Sequence, residues 1–90
     1  MSDIADYQSL ISDFIKKQMI ILGPSIALAK AQKIEVLKVT DSGDVSKIDG
    51  DPQAALRLLT NEYMKLSSDV TLATLKSLFE HYPNLQGLGH

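Results

Sequence analysis

The side chains able to do chemistry in this chain are few, and their spacing argues against most reactions. Two histidines occur, His81 and His90, both near the C-terminal end of the sequence. Neither has a second His or a Cys at the spacing of a zinc ligand pair. His81 falls in the last turn of a predicted helix, where a cation suits the helix dipole, and Glu80-His81 as a catalytic pair has no further support in the sequence. Four acids, Asp41, Asp44, Asp49 and Asp51, crowd one short stretch. A calcium loop counted from Asp41 needs an oxygen ligand at its third position and Glu at its twelfth, but Gly43 and Pro52 stand there. Turn and capping chemistry accounts for all four acids. Ser42 has no nearby His to act as its base, and it does not open a helix, as the modified serine of a helical carrier domain would. The five glycines are dispersed, so no phosphate-cradling loop is present. No catalytic, cofactor or metal residue is assigned, and the chain is not expected to be an enzyme.

Composition narrows the classes further. The chain has 90 residues, which is one domain. With no Cys it has no disulfide, thiolate site or thiol nucleophile, so stability must come from packing or from association. It is 44% hydrophobic and 22% charged, which is too apolar for a disordered chain. The net charge is −2, and Lys16-Lys17 is the one basic doublet, without the basic stripe that phosphate neutralisation requires. No apolar run exceeds the four residues of Met19–Leu22, far from the ~18 of a membrane span. The opening Met1-Ser2-Asp3 is acidic and does not read as a signal or transit peptide. A cytoplasmic location is the expectation.

The remaining pattern is helical. Ile4, Tyr7, Ile11, Phe14, Ile15, Met19 and Leu22 recur at three- and four-residue spacing, predicting a helix from Asp3 to Leu22 capped by Ser2 or Asp3. Leu10, Ile20 and Ile21 lie off that stripe and widen the apolar face. Gly23-Pro24 makes a sharp corner, Gly in a left-handed conformation and Pro opening a second helix to about Lys33. Ala27, Ala29 and Ala31 on that helix permit close approach by a neighbour. Ile34–Val39 and Val45–Ile48 read as two strands flanking Thr40–Asp44, with Gly43 left-handed in the turn. Such a hairpin is marginal alone. It must lie on the helices or pair with another copy. Asp51 caps a third helix that starts at Pro52 and runs to about Leu66, with Ala55, Leu56, Leu59, Tyr63 and Leu66 inward. After Ser67-Ser68-Asp69 a fourth helix runs from Val70 to about His81, offering Leu72, Leu75, Leu78, Phe79 and Tyr82 to the core, and Pro83 stops it. The fold class is mostly α with a small β-hairpin, α-α-β-β-α-α, two helical hairpins around one core. Residues 1–83 form the domain and 84–90 a flexible tail.

A shift of 44 residues places Phe14-Ile15 on Leu58-Leu59, Met19 on Tyr63, Leu22 on Leu66 and Leu28-Ala29 on Leu72-Ala73. This suggests an internal duplication in which each helical pair covers the other. Ile20-Ile21-Leu22-Gly23-Pro24-Ser25-Ile26-Ala27 resembles the apolar-Gly-Pro corner of small helical domains appended to bacterial signalling proteins. That resemblance spans about eight residues and implies protein-protein contact rather than catalysis.

Three functions stand in order. The first is an interaction or oligomerisation module, a homodimer or a protein-binding domain, whose interface is Met19, Ile20, Ile21, Leu22, Ile26 and Leu28. The second is a small-molecule or lipid-binding domain with its pocket between the two helical pairs and Tyr7, Tyr63 and Tyr82 as polar tips. The third is a helix-turn-helix variant reading DNA with Asp69, Thr71, Thr74, Lys76, Ser77 and Glu80, a set without the usual Arg, Asn or Gln base readers.

Overall fold

Apolar residues at helical spacing in the first twenty positions wind into the helix around which everything else packs. The structure, a computed structural model, describes residues 3–83 and 85. Its elements are α1 (Asp3–Leu22), α2 (Pro24–Gln32), β1 (Leu37–Val39), β2 (Val45–Ile48), α3 (Pro52–Met64) and α4 (Ser68–His81), in the predicted order α-α-β-β-α-α. α2, β2, α3 and α4 all touch α1. Enclosure from several sides explains why Leu10, off the main stripe, is as fully buried as Ile11, Phe14 and Ile15. Ile4, predicted inward, is instead 61% exposed, because the described elements leave the first turn of α1 uncovered. The expected cap at Ser2 or Asp3 lies outside the described side chains.

One core takes residues from all six elements, including Ala27 and Ala31 of α2, Leu37 of β1, Val45 of β2, Leu59 and Tyr63 of α3 and Leu78 of α4. The small alanines let α2 settle closely. The Tyr63 hydroxyl donates 2.8 Å to the Ala27 carbonyl, and its ring meets Phe14 edge-on at 5.2 Å. Burial pushes the Tyr63 hydroxyl well above the usual phenol range. Glu62 adds an exposed clasp between α3 and α2, reaching Lys65 at 2.9 Å, Lys33 at 3.5 Å and Lys30 at 3.6 Å. At the other end of α4 the Tyr82 hydroxyl donates 2.7 Å to Asp13.

The hairpin lies on α1. Leu37 pairs with Ile48 and Lys38 with Lys47, and a bulge then sets Val39 opposite Val45. β1 is shorter than the predicted strand because Ile34 to Val36 turn out of α2, with Leu37 N–H donating to the Ile34 carbonyl at 3.1 Å. α1 completes the outer edge of β2 with side chains. Ser12 Oγ accepts from Val45 N–H at 2.9 Å, and Gln8 Nε2 donates to the Val45 carbonyl at 2.6 Å. At Val45 the edge that would otherwise invite another strand is thereby satisfied. Gly43 has φ +90°, as predicted, and a Cβ there would stand 2.7 Å from Met19 Sδ and 3.2 Å from Lys16 Cγ. Lys16 also pairs with Asp44 beside it.

α3 begins as predicted, Asp51 accepting from Gln53 N–H at 3.1 Å with Pro52 at the first helical position. It ends at Met64, and Leu66, predicted inward, is 42% exposed beyond it. Ser67 caps α4 by accepting from Val70 N–H at 3.3 Å, so the helix starts two residues earlier than predicted. Leu72, predicted inward, is 54% exposed, and Thr71 and Thr74 take its place in the core. Their hydroxyls bond back to the carbonyls of Ser67 (2.7 Å) and Val70 (2.8 Å), which leaves only methyl surface to pack. Gln18 is the third buried polar side chain. It is fully enclosed, and among the described residues neither end of its carboxamide has a hydrogen-bond partner. Of the predicted tail, Leu85 is buried and the rest lies outside the described residues.

The 44-residue shift carries into burial only in part. Ile11 and Ala55, Ile15 and Leu59, Ala27 and Thr71, and Ile34 and Leu78 are buried in pairs. Buried Tyr7, Leu10, Phe14 and Gln18 fall instead on Asp51, Ala54, Leu58 and Glu62, none of which is buried.

Candidate functional site

The corner between α1 and α2 is built by Gly23 and Pro24. Gly23 has φ 100° and ψ 144°, with positive φ as predicted but an extended ψ. A Cβ at Gly23 would meet nothing within 4 Å, so the backbone angle, not crowding, calls for glycine there. The Gly23 N–H closes α1 onto the Met19 carbonyl at 3.1 Å, and the Gly23 carbonyl accepts from Ala27 N–H at 3.1 Å. The chain thus leaves one helix and enters the next within a single residue.

This sharp reversal divides the six predicted interface residues into two groups. Met19, Leu22 and Leu28 are half-buried and pack against the core. Ile20 is 84% exposed, Ile21 54% and Ile26 50%. Ile20 and Ile21 close α1 and Ile26 lies in the first turn of α2, so all three ride on the same corner. The Tyr63–Ala27 bond sets the end of α3 against the start of α2, and Leu66 and Leu72 on either side of the α3–α4 corner are also exposed. No ionisable group is among the six residues. The patch can exclude water from a partner, and Asp13, Lys17 and His81 border one groove with its Ile20.

The other sequence candidates are placed as follows. The three tyrosine hydroxyls are engaged inside the fold: Tyr7 accepts from Gln53 Nε2 at 3.1 Å, Tyr63 donates to Ala27, and Tyr82 donates to Asp13. Burial, the bond to Asp13 and the charges of Asp13 and Asp6 push Tyr82 up to about 12. His81 is exposed on α4, with Nδ1 3.1 Å from the Ser77 carbonyl, and His90 lies outside the described residues. Asp44 serves the hairpin turn, and Asp51 caps α3. Ser42 Oγ donates to Asp44 at 3.0 Å. The bond with Lys16 holds the Asp44 carboxyl below its usual range. Of the six candidate base readers on α4, Thr71 and Thr74 are buried. Among the described residues no group of three or more potential metal ligands gathers, and no helix is long and apolar enough to cross a membrane.

Sequence reasoning passed over one feature, a cleft between α3 and α4 edged by Arg57 and Asn61. The available signal was the stripe Gln53, Arg57, Thr60, Asn61, four polar residues at helical spacing beside inward-facing Leu56. Comparison of the chain with protein-family models, with curated proteins and with solved structures found no match in any of the three.

Proposed function

We propose that this chain is a cytoplasmic self-association module that forms a homodimer through the α1–α2 corner, with Ile20, Ile21 and Ile26 at the centre of the contact. The observation that carries the reading is the exposure of those three isoleucines on a single reversal of the chain. Three large branched side chains in water at one corner are a cost to a monomer and a driving force for a dimer. Burying their exposed surface in both copies contributes about 6–11 kcal/mol, against about 4–15 kcal/mol lost on association. Met19, Leu22 and Leu28 add apolar area at the base of the patch. The balance favours a weak dimer that dissociates on dilution, and a symmetric contact of one patch with itself suits it.

The test is solution mass by light scattering over a dilution series. The parent protein should approach twice the 9.9 kDa chain mass when concentrated and fall toward 9.9 kDa when dilute. Ile20→Asp and Ile21→Asp should give the monomer mass throughout with an unchanged helical circular dichroism spectrum. A parent protein that stays monomeric across the series would end this reading. So would Asp variants that dimerise as well as the parent.

A further inference from the structure

The cleft between α3 and α4 has a volume of ≈ 230 Å³, and Leu56, Leu75 and Phe79 supply its apolar surface. Along its α3 edge stand Arg57 and Asn61, one helical turn apart and therefore on one face. Arg57 is the single arginine of the chain. It is exposed, and among the described residues its guanidinium has no ion pair or hydrogen bond. The nearest acid along α3, Glu62, is already clasped by three lysines. No carboxylate of the described residues lines the cleft. An unpaired cation at the edge of an apolar trough is complementary to an anion carried on an apolar body.

The details select the anion. A single guanidinium offers a planar fork that a carboxylate fills with two parallel hydrogen bonds and one neutralising charge. A phosphate monoester would bring a second charge that nothing lining the cleft offsets. The Asn61 amide, one turn along, can donate to the same oxygen pair. The volume lies below the roughly 300–1,000 Å³ of drug-sized sites, which sets a small ligand.

We propose that the α3–α4 cleft binds a small amphipathic monocarboxylate, a short-chain to medium-chain aliphatic acid, with Arg57 holding the carboxylate and Leu56, Leu75 and Phe79 covering the chain. The site is separate from the α1–α2 corner, so either reading can fail without the other.

The experiment is a titration of the isotopically labelled full chain with sodium octanoate, octan-1-ol or octylammonium chloride, followed through backbone amide resonances. Octanoate should give saturable shifts confined to α3 and α4. The alcohol and the amine should bind at least about tenfold more weakly, since a charge-assisted pair is lost. Arg57→Gln should weaken octanoate by a similar factor and leave the ligand-free spectrum otherwise intact, because the side chain is exposed and bonded to nothing described. The proposal is overturned by an absence of saturable shifts, by shifts centred on Ile20, Ile21 and Ile26, by octylammonium binding as well as octanoate, or by Arg57→Gln binding octanoate as the parent does.

Discussion

Replacing Gln18 with Met should make this protein more stable, against the general trend of core substitutions. Gln18 is fully buried in α1, and both polar atoms of its carboxamide lack a partner among the described residues. A buried donor or acceptor left without a hydrogen bond costs about 1–3 kcal/mol. Met is unbranched, similar in reach and flexible enough to fill an irregular space, so the exchange removes the desolvation cost without opening a large cavity. For a domain of this length each kcal/mol moves Tm by about 4–8 °C, so Gln18→Met should raise it by at least about 4 °C. Thr74→Val is the control. Its hydroxyl is satisfied at 2.8 Å by the Val70 carbonyl, and its loss should be neutral or cost up to about 1.5 kcal/mol. Thermal unfolding followed by circular dichroism, at one protein concentration below dimerisation, reads both. A Gln18→Met variant that melts at or below the parent temperature would refute the reasoning, since the carboxamide would then have a partner in solution that repays its burial.

Gly43→Ala should destabilise the fold by about 1–2 kcal/mol, the usual cost of a left-handed backbone for an L-residue, because φ is +90° there and the new methyl would stand 2.7 Å from Met19 Sδ; the urea midpoint measures it. Stability should also fall on acidification. Lys65 lowers the pKa of Glu62 and Lys16 lowers that of Asp44, so the folded state holds these protons more weakly than the unfolded chain does. Their contribution is complete above the ordinary carboxylate range and is lost as pH falls through the lowered values, below about pH 4. The double variant Asp44→Asn, Glu62→Gln should show a shallower fall of the urea midpoint over that range, and a fall as steep as the parent's would exclude these two ion-pair systems as its source.

Much of the fold is legible because local rules act alone. The period of α1, the Gly23-Pro24 reversal, the Gly43 turn and the Asp51-Pro52 start each rest on a few neighbouring residues. Burial on α4 was not legible. Leu72 and the threonines Thr71 and Thr74 are all at helical spacing from inward-facing Leu75 or Leu78, and the hydroxyl bonds to Ser67 and Val70 let the threonines enter the core while Leu72 stays exposed. Leu10 is similar: only the number of elements touching α1 accounts for its full burial. At the corner, the sequence picks out the apolar run but not the division between half-buried Met19 and Leu22 and exposed Ile20 and Ile21, which depends on where α2 turns back. The Arg57 edge emerges only when α4 is laid beside α3.

The bond between Tyr82 and Asp13 ties the residue that ends α4 to the middle of α1. Tyr82 borders one groove with Ala5 and Ser9, while Leu78 and His81 border another with Lys17 and Ile20. The last turn of α4 therefore straddles α1 and reaches as far as the exposed isoleucine. A second copy seated on Ile20 would stand beside His81 as well, so the rim of that contact would be drawn from two helices far apart in the sequence.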